Sequence, residues 1–278
     1  MLSPTQILLG LLIPSAIAAT LAILGWLTTG KSLGATLGIA AALAFAYKPM
    51  TGQWPPFPPV STTDWPLYFL FPLTLIALFQ QKIPWPLRPL ITLIASAALA
   101  WLTLKPLTPG PLAIAIVALA ATISWTLIEP LTTRRPGPTA PILLWLLSTG
   151  SALLLLLGAS PRLGFLAVTF AGVFGAYFLF SLLQKKTPIS AGPALVCIPL
   201  LSAWLSYAYL DSSVITPLEL TLLTAAPLLA WIPELPKISN LKSWKRELLR
   251  FALVAAPIAA AIILAAIQFK KDSAGMEM

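Results

Sequence analysis

Residues Gly25 to Ser32, GWLTTGKS, satisfy the phosphate-binding pattern G-x-x-x-x-G-K-[ST] at every fixed position. That loop works when a buried strand delivers it to the start of a helix, so that backbone amides converge on an anion and the lysine adds charge. Here the flanking residues 7–24 and 33–47 are both apolar runs of the kind that cross bilayers. No later aspartate follows an apolar strand to hold magnesium. The motif is therefore expected to be a hairpin between two membrane helices, and nucleotide hydrolysis is not expected.

Other reactive residues are sparse. The chain has no histidine and one cysteine, Cys197, in an apolar stretch. Haem ligation, ordinary zinc sites, disulfides and histidine-activated nucleophiles are thereby excluded. No catalytic residue, metal site or cofactor is expected, and the chain is not expected to be an enzyme. Among the eight acidic residues, Glu129 closes an apolar run and Glu219 lies about one turn inside another. Intramembrane acids are costly and commonly mark ion or proton paths, so Glu219 is the candidate for such a path. In its first helical turn it would also complement the macrodipole and reach water. A lipid-linked transferase would need a convergent acid or base, and Glu129, Asp211, Glu219 and Arg134-Arg135 do not fall clearly on one side.

Pro72 and Pro199 each interrupt an apolar run and free a carbonyl one turn earlier. Paired interruptions in two halves of a chain are the best sequence pointer to a midplane binding site. With their neighbours Tyr68, Thr74, Cys197, Ser202 and Tyr207, they are the expected substrate-binding residues, a few polar groups in an apolar cavity. Plain kinks with locally bonded hydroxyls are the simpler alternative.

The elements that must position these residues follow from composition. Of 278 residues, 58% are hydrophobic and 9% charged, with mean hydropathy +0.91, which no solvated globular surface tolerates. Apolar runs recur at roughly 7–28, 33–47, 64–80, 87–104, 111–128, 140–158, 163–184, 190–210, 215–233 and 248–269. An all-α polytopic transmembrane bundle of about ten spans is expected, as one membrane domain over 1–278. Ala16-Ile17-Ala18 lacks the positive flank of a signal peptide, so the first run reads as a retained helix.

Ten spans also partition the basic residues. Lys31, Lys82, Arg88, Arg134, Arg135, Lys185, Lys186, Lys237, Lys242, Lys245, Arg246 and Arg250 fall on one side, and Lys48, Lys105, Arg162, Lys270 and Lys271 on the other. The positive-inside rule makes the richer side cytoplasmic and both termini non-cytoplasmic.

A faint duplication runs through the chain. Leu33-Gly34 matches Leu163-Gly164, Ala46-Tyr47 matches Ala176-Tyr177, and Leu99-Ala100-Trp101 matches Leu229-Ala230-Trp231, all at an offset of 130. Halves of five spans, 1–139 and 140–278, would have opposite topology and form an inverted repeat. Gly34, Gly38, Ala42 and Ala46, with Gly164, Gly172 and Ala176, give matching small-residue faces for close helix packing. At the level of architecture, ten spans in two inverted halves is similar to the drug/metabolite transporter superfamily, with no motif carrying the likeness. The expected external termini depart from that superfamily's cytoplasmic ones.

Two segments remain. Residues 49–63, PMTGQWPPFPPVSTT, should be a stiff external connector with Trp54 and Phe57 as anchors, and are the candidate contact for a membrane-protein partner. Asn240 to Arg250 reads as a capped helix start on the cytoplasmic surface, with Trp244 and Leu248 on one face and Arg246 and Arg250 on the other. Membrane lipids and a small-molecule substrate are the expected partners; nucleic acid is not, despite the net charge of +9. The expected function is a transporter or permease for a small, largely uncharged or apolar solute. The alternative is a non-transporting anchor or assembly subunit.

Overall fold

A computed structural model describes residues 8–29, 33–61, 64–108, 110–134, 137–158, 161–183, 191–212, 214–236, 238 and 242–275. Their order is α1 (Ile13–Thr29, after a π-helical turn at Leu8–Leu12), α2 (Leu33–Thr51), α3 (Trp65–Phe79), α4 (Leu87–Leu104) and α5 (Pro111–Arg134). Then come α6 (Thr139–Leu157), α7 (Pro161–Leu183), α8 (Ala191–Asp211), α9 (Pro217–Leu229) and α10 (Ser243–Gly275). The described residues contain no strand.

Eight of these helices are long and apolar enough to cross a membrane. The other two, α3 with 15 residues and α9 with 13, are shorter. At about 1.5 Å rise per residue they reach only roughly 20–22 Å, against about 30 Å of hydrocarbon. Each is prolonged by a 3₁₀ turn, Gln80–Lys82 and Ile232–Glu234. The second run, shortest in the sequence at 33–47, is longer than expected: α2 continues through Pro49 to Thr51.

The outside of the bundle is as apolar as its interior, and hydroxyls are buried among the core's leucines and alanines. Leu27, Phe71, Ile94, Leu112 and Ile263 are well exposed on its outside, whereas Thr36, Ser148, Thr169 and Ser181 are buried within. A hydrocarbon solvent permits this, because lipid tails welcome leucine and offer no partner to a hydroxyl. Many of the hydroxyls bond the carbonyl a turn earlier, as in Thr74 to Leu70 at 2.6 Å and Thr122 to Ala118 at 2.7 Å.

Close backbone approach replaces hydrophobic drive in holding the helices. In the hairpin of α1 and α2, a Cβ placed on Gly34 would stand 2.1 Å from the Leu21 carbonyl oxygen and 2.7 Å from Gly25 Cα. Only glycine at both places allows that contact. α7 lies along both helices, with Tyr177 donating its hydroxyl to the Ala35 carbonyl at 2.7 Å and Thr169 to the Gly10 carbonyl at 2.8 Å.

The hairpins α1–α2 and α6–α7 are the most extensive contacts in their halves of the chain, and α4–α5 and α9–α10 follow. Beyond hairpins the neighbours differ: α1 lies along α7 with no comparable contact between α6 and α2. The central helix is α8, which touches α3, α4, α5 and α6 and is buried along nearly its whole length.

Candidate functional site

The predicted binding residues do not converge. α3 buries Leu70, Leu73, Thr74 and Ala77 on one stripe, which puts Pro72 on the exposed outer side of the helix. Tyr68 leaves the bundle interior altogether. Its hydroxyl donates to the Pro56 carbonyl at 2.9 Å, and its ring lies 6.0 Å from that of Phe57. On α8, Pro199 and Cys197 are buried, with the Cys197 Sγ 3.5 Å from the Ser148 hydroxyl of α6. Tyr207 is half-buried against Ala100, Leu104 and Ile114. Ser202 alone faces open space.

That space is a cavity of about 320 Å³ between α5, α8 and α9, closed on one flank by Leu104 at the end of α4. Its rim carries the exposed Ile116 and Leu210, near the point where α8 ends and α9 begins. Ser206, Thr221 and Thr224 stand on its walls, and each hydroxyl hydrogen is given to the carbonyl one turn earlier, at 2.8, 2.7 and 2.8 Å. Deeper in, Ser202, Leu205 and Thr224 also line a small space of about 30 Å³ that Ser124 of α5 and Ser151 of α6 help to form. Thirty cubic ångströms admits about one or two waters and no solute. The hydroxyls of Ser124, Ser151 and Ser202 have no hydrogen-bond partner among the described residues. The arrangement is thus an uncharged vestibule that narrows onto three uncommitted serines.

Glu219 stands at the mouth end of α9 and is 3% exposed. Thr216 is the N-cap: its backbone N–H donates to Glu219 Oε2 at 2.8 Å, and its hydroxyl donates to the same oxygen. The carboxylate therefore completes a capping box at the start of α9. This is the helix-start role that its first-turn position allowed, but the expected reach to water is not met, because the carboxylate is buried.

Two ionic clusters at the far end of the bundle escaped the sequence reading. Arg250, 1% exposed, donates from Nε to the Ala230 carbonyl at 3.0 Å, from Nη1 to both Glu247 oxygens at 2.6 Å, and from Nη2 to Glu234. Thr139 at the start of α6 adds a bond to Glu247 at 3.0 Å. The expected surface helix is thereby the first turns of α10, turned the other way: Trp244 and Leu248 face outward and Arg250 inward. Facing lipid, outward is the apolar direction. The second cluster joins Arg88 to Glu129 at 2.6 Å and Gln80 to Glu129 at 2.8 Å. Arg88 opens one span and Glu129 closes the next, both on the basic-rich side, which is the one sequence signal that could have paired them.

At the other end, Asp64 ties down the proline-rich connector. It accepts from the Tyr47 hydroxyl at 3.0 Å and from the Ser61 N–H at 2.9 Å. Trp54 and Phe57 remain exposed; Thr62 and Thr63 lie outside the described residues. The phosphate-loop pattern is divided similarly. Gly25 to Thr29 finish α1, preceded by helix where a phosphate loop needs a strand, and Gly30, Lys31 and Ser32 lie outside the described residues.

Fold and site together define a class, an all-helical bundle compatible with integral membrane insertion. No protein-family model matches the sequence, and no curated protein matches it.

Proposed function

We propose that this chain is a membrane transporter for a small, uncharged, hydrogen-bonding solute. The observation that carries the reading is the uncharged cavity of about 320 Å³ that ends on Ser124, Ser151 and Ser202 partway through the bundle. An open vestibule meeting a narrow polar constriction is what a carrier needs in one of two alternating states. The cavity also straddles the proposed halves, with α5 from residues 1–139 and α8 and α9 from 140–278. In the full reading, ten spans form two inverted repeats and rock about this boundary. What favours that arrangement is one extensive hairpin in each proposed half, α1–α2 and α6–α7.

The test is solute flux into proteoliposomes of the full chain, using glycerol and urea as uncharged probes and glycine as a zwitterionic one. Neutral flux above protein-free vesicles, abolished by Ser202→Trp at unchanged folding, is the expected result. Equal leakage in wild type and Ser202→Trp would sink the reading.

A non-transporting assembly subunit is the second reading. It is favoured by the packing of α3 against α8, with Leu73 and Thr74 of α3 buried.

A further inference from the structure

Beside the Arg250 network lies a second polar cluster for which the vestibule has no use. Trp85, Arg88, Glu129, Pro130 and Arg134 line a cavity of about 310 Å³ where α4 begins and α5 ends. Glu129, 3% exposed, spends Oε1 on Arg88 and Gln80, while its Oε2 is buried without a hydrogen-bond partner among the described residues. Buried acceptors are almost always satisfied, so this one, on a residue of the cavity wall, marks a place for a donor from outside the chain.

The cations of the cavity are also incompletely used. Arg88 gives Nε to the Ile83 carbonyl at 2.9 Å and Nη1 to Glu129, leaving Nη2 without an acceptor among the described residues. Arg134 makes no hydrogen bond to the described residues and rests over the Trp231 ring at 5.4 Å. Two guanidiniums against one carboxylate give the cavity a net charge of +1. Guanidinium forks match phosphate oxygens in shape as well as charge. The surroundings fix the depth: Trp85 is half exposed beside the outward-facing Leu87 and Leu90, an aromatic-then-aliphatic order that belongs at the headgroup boundary.

We infer that this cavity binds the headgroup of an anionic phosphodiester lipid carrying a hydroxyl. Arg88 Nη2 and Arg134 hold the phosphate, Glu129 Oε2 accepts from the headgroup hydroxyl, and the acyl chains run down α4 over Leu87 and Leu90. The hydroxyl supplies the donor that Glu129 lacks, and the single negative charge balances the cavity.

Native mass spectrometry of the full-length protein in detergent tests this. The probes are phosphatidylglycerol, phosphatidylmethanol, phosphatidylcholine and water-soluble glycerol 1-phosphate. Phosphatidylglycerol should bind about tenfold more tightly than phosphatidylcholine. Arg134→Gln should cost about tenfold, whereas Lys82→Gln, which removes a cation outside the cavity, should change little. Glu129→Gln keeps an oxygen for Arg88 but replaces the second acceptor by a donor, so it should weaken phosphatidylglycerol and spare phosphatidylmethanol. Equal binding of the four lipid and phosphate probes, or equal effects of Arg134→Gln and Lys82→Gln, would overturn the proposal. Glycerol 1-phosphate displacing phosphatidylglycerol at equal concentration would overturn it in favour of a soluble phosphoester.

Discussion

Arg250 carries more structure than any other single side chain. It closes the gap between α9 and α10 by meeting a backbone carbonyl and two carboxylates, with the guanidinium itself 1% exposed. Removing one member of a buried ionic cluster is costly, and Arg250→Ala takes from Glu234 and Glu247 the guanidinium they share. A loss of about 3 kcal/mol is expected, read as an earlier midpoint in detergent denaturation. Glu247→Gln retains an acceptor and should cost less than half of that. None of this was legible from residue type. A basic residue near a span end reads as surface charge, and the same rule that correctly grouped Arg250 with Arg88 and Arg134 concealed that it points inward.

Helices were legible where hydropathy is continuous, and their orientations were not. The runs assigned to spans one, two, four to eight and ten all recur as long apolar helices. Runs three and nine contracted to α3 and α9, because 3₁₀ turns replace their last residues. Pro72 and Tyr68 fell outside the cavity for a related reason. α3 is apolar on every side, so nothing in its sequence distinguishes the stripe facing α8 from the stripe facing outward. Small-residue spacing was more informative: Gly34 and Gly38 are buried in the contacts of α2. Gly34→Val should push α1 from α2 and destabilise by roughly 1–3 kcal/mol. Gly110→Ala, where an added Cβ meets nothing within 4 Å, should be neutral, both variants being compared with wild type by thermal unfolding in detergent.

Across the whole molecule, contacts sort the loops into two groups. Tyr47, Asp64 and Arg162 share a cavity of about 310 Å³ at one end. Arg88, Glu129, Glu234 and Arg250 lie at the opposite end of the bundle, where Gln80, just past the far end of α3 from Asp64, meets Glu129. The sequence partition of basic residues made the same separation, since alternation of span ends is a topological count that needs no side-chain geometry. If the basic-rich end is cytoplasmic, Lys105→Cys should react with an impermeant maleimide added outside intact cells, and Lys245→Cys only after permeabilisation, both in a Cys197→Ala background. The reverse pattern would invert the proposed orientation.

The threonines and serine on the vestibule walls have already given their hydrogens to their own helices. What these three turn toward an incoming molecule is oxygen lone pairs, so their part of the wall rewards whatever brings protons of its own, while Ser202 and Tyr209 are the hydroxyls placed to donate. A diol should therefore outcompete its dimethyl ether for entry by about tenfold, the worth of roughly one hydrogen bond. Chemical selection would then begin before Ser124 and Ser151 are reached, in a wall richer in acceptors than in donors.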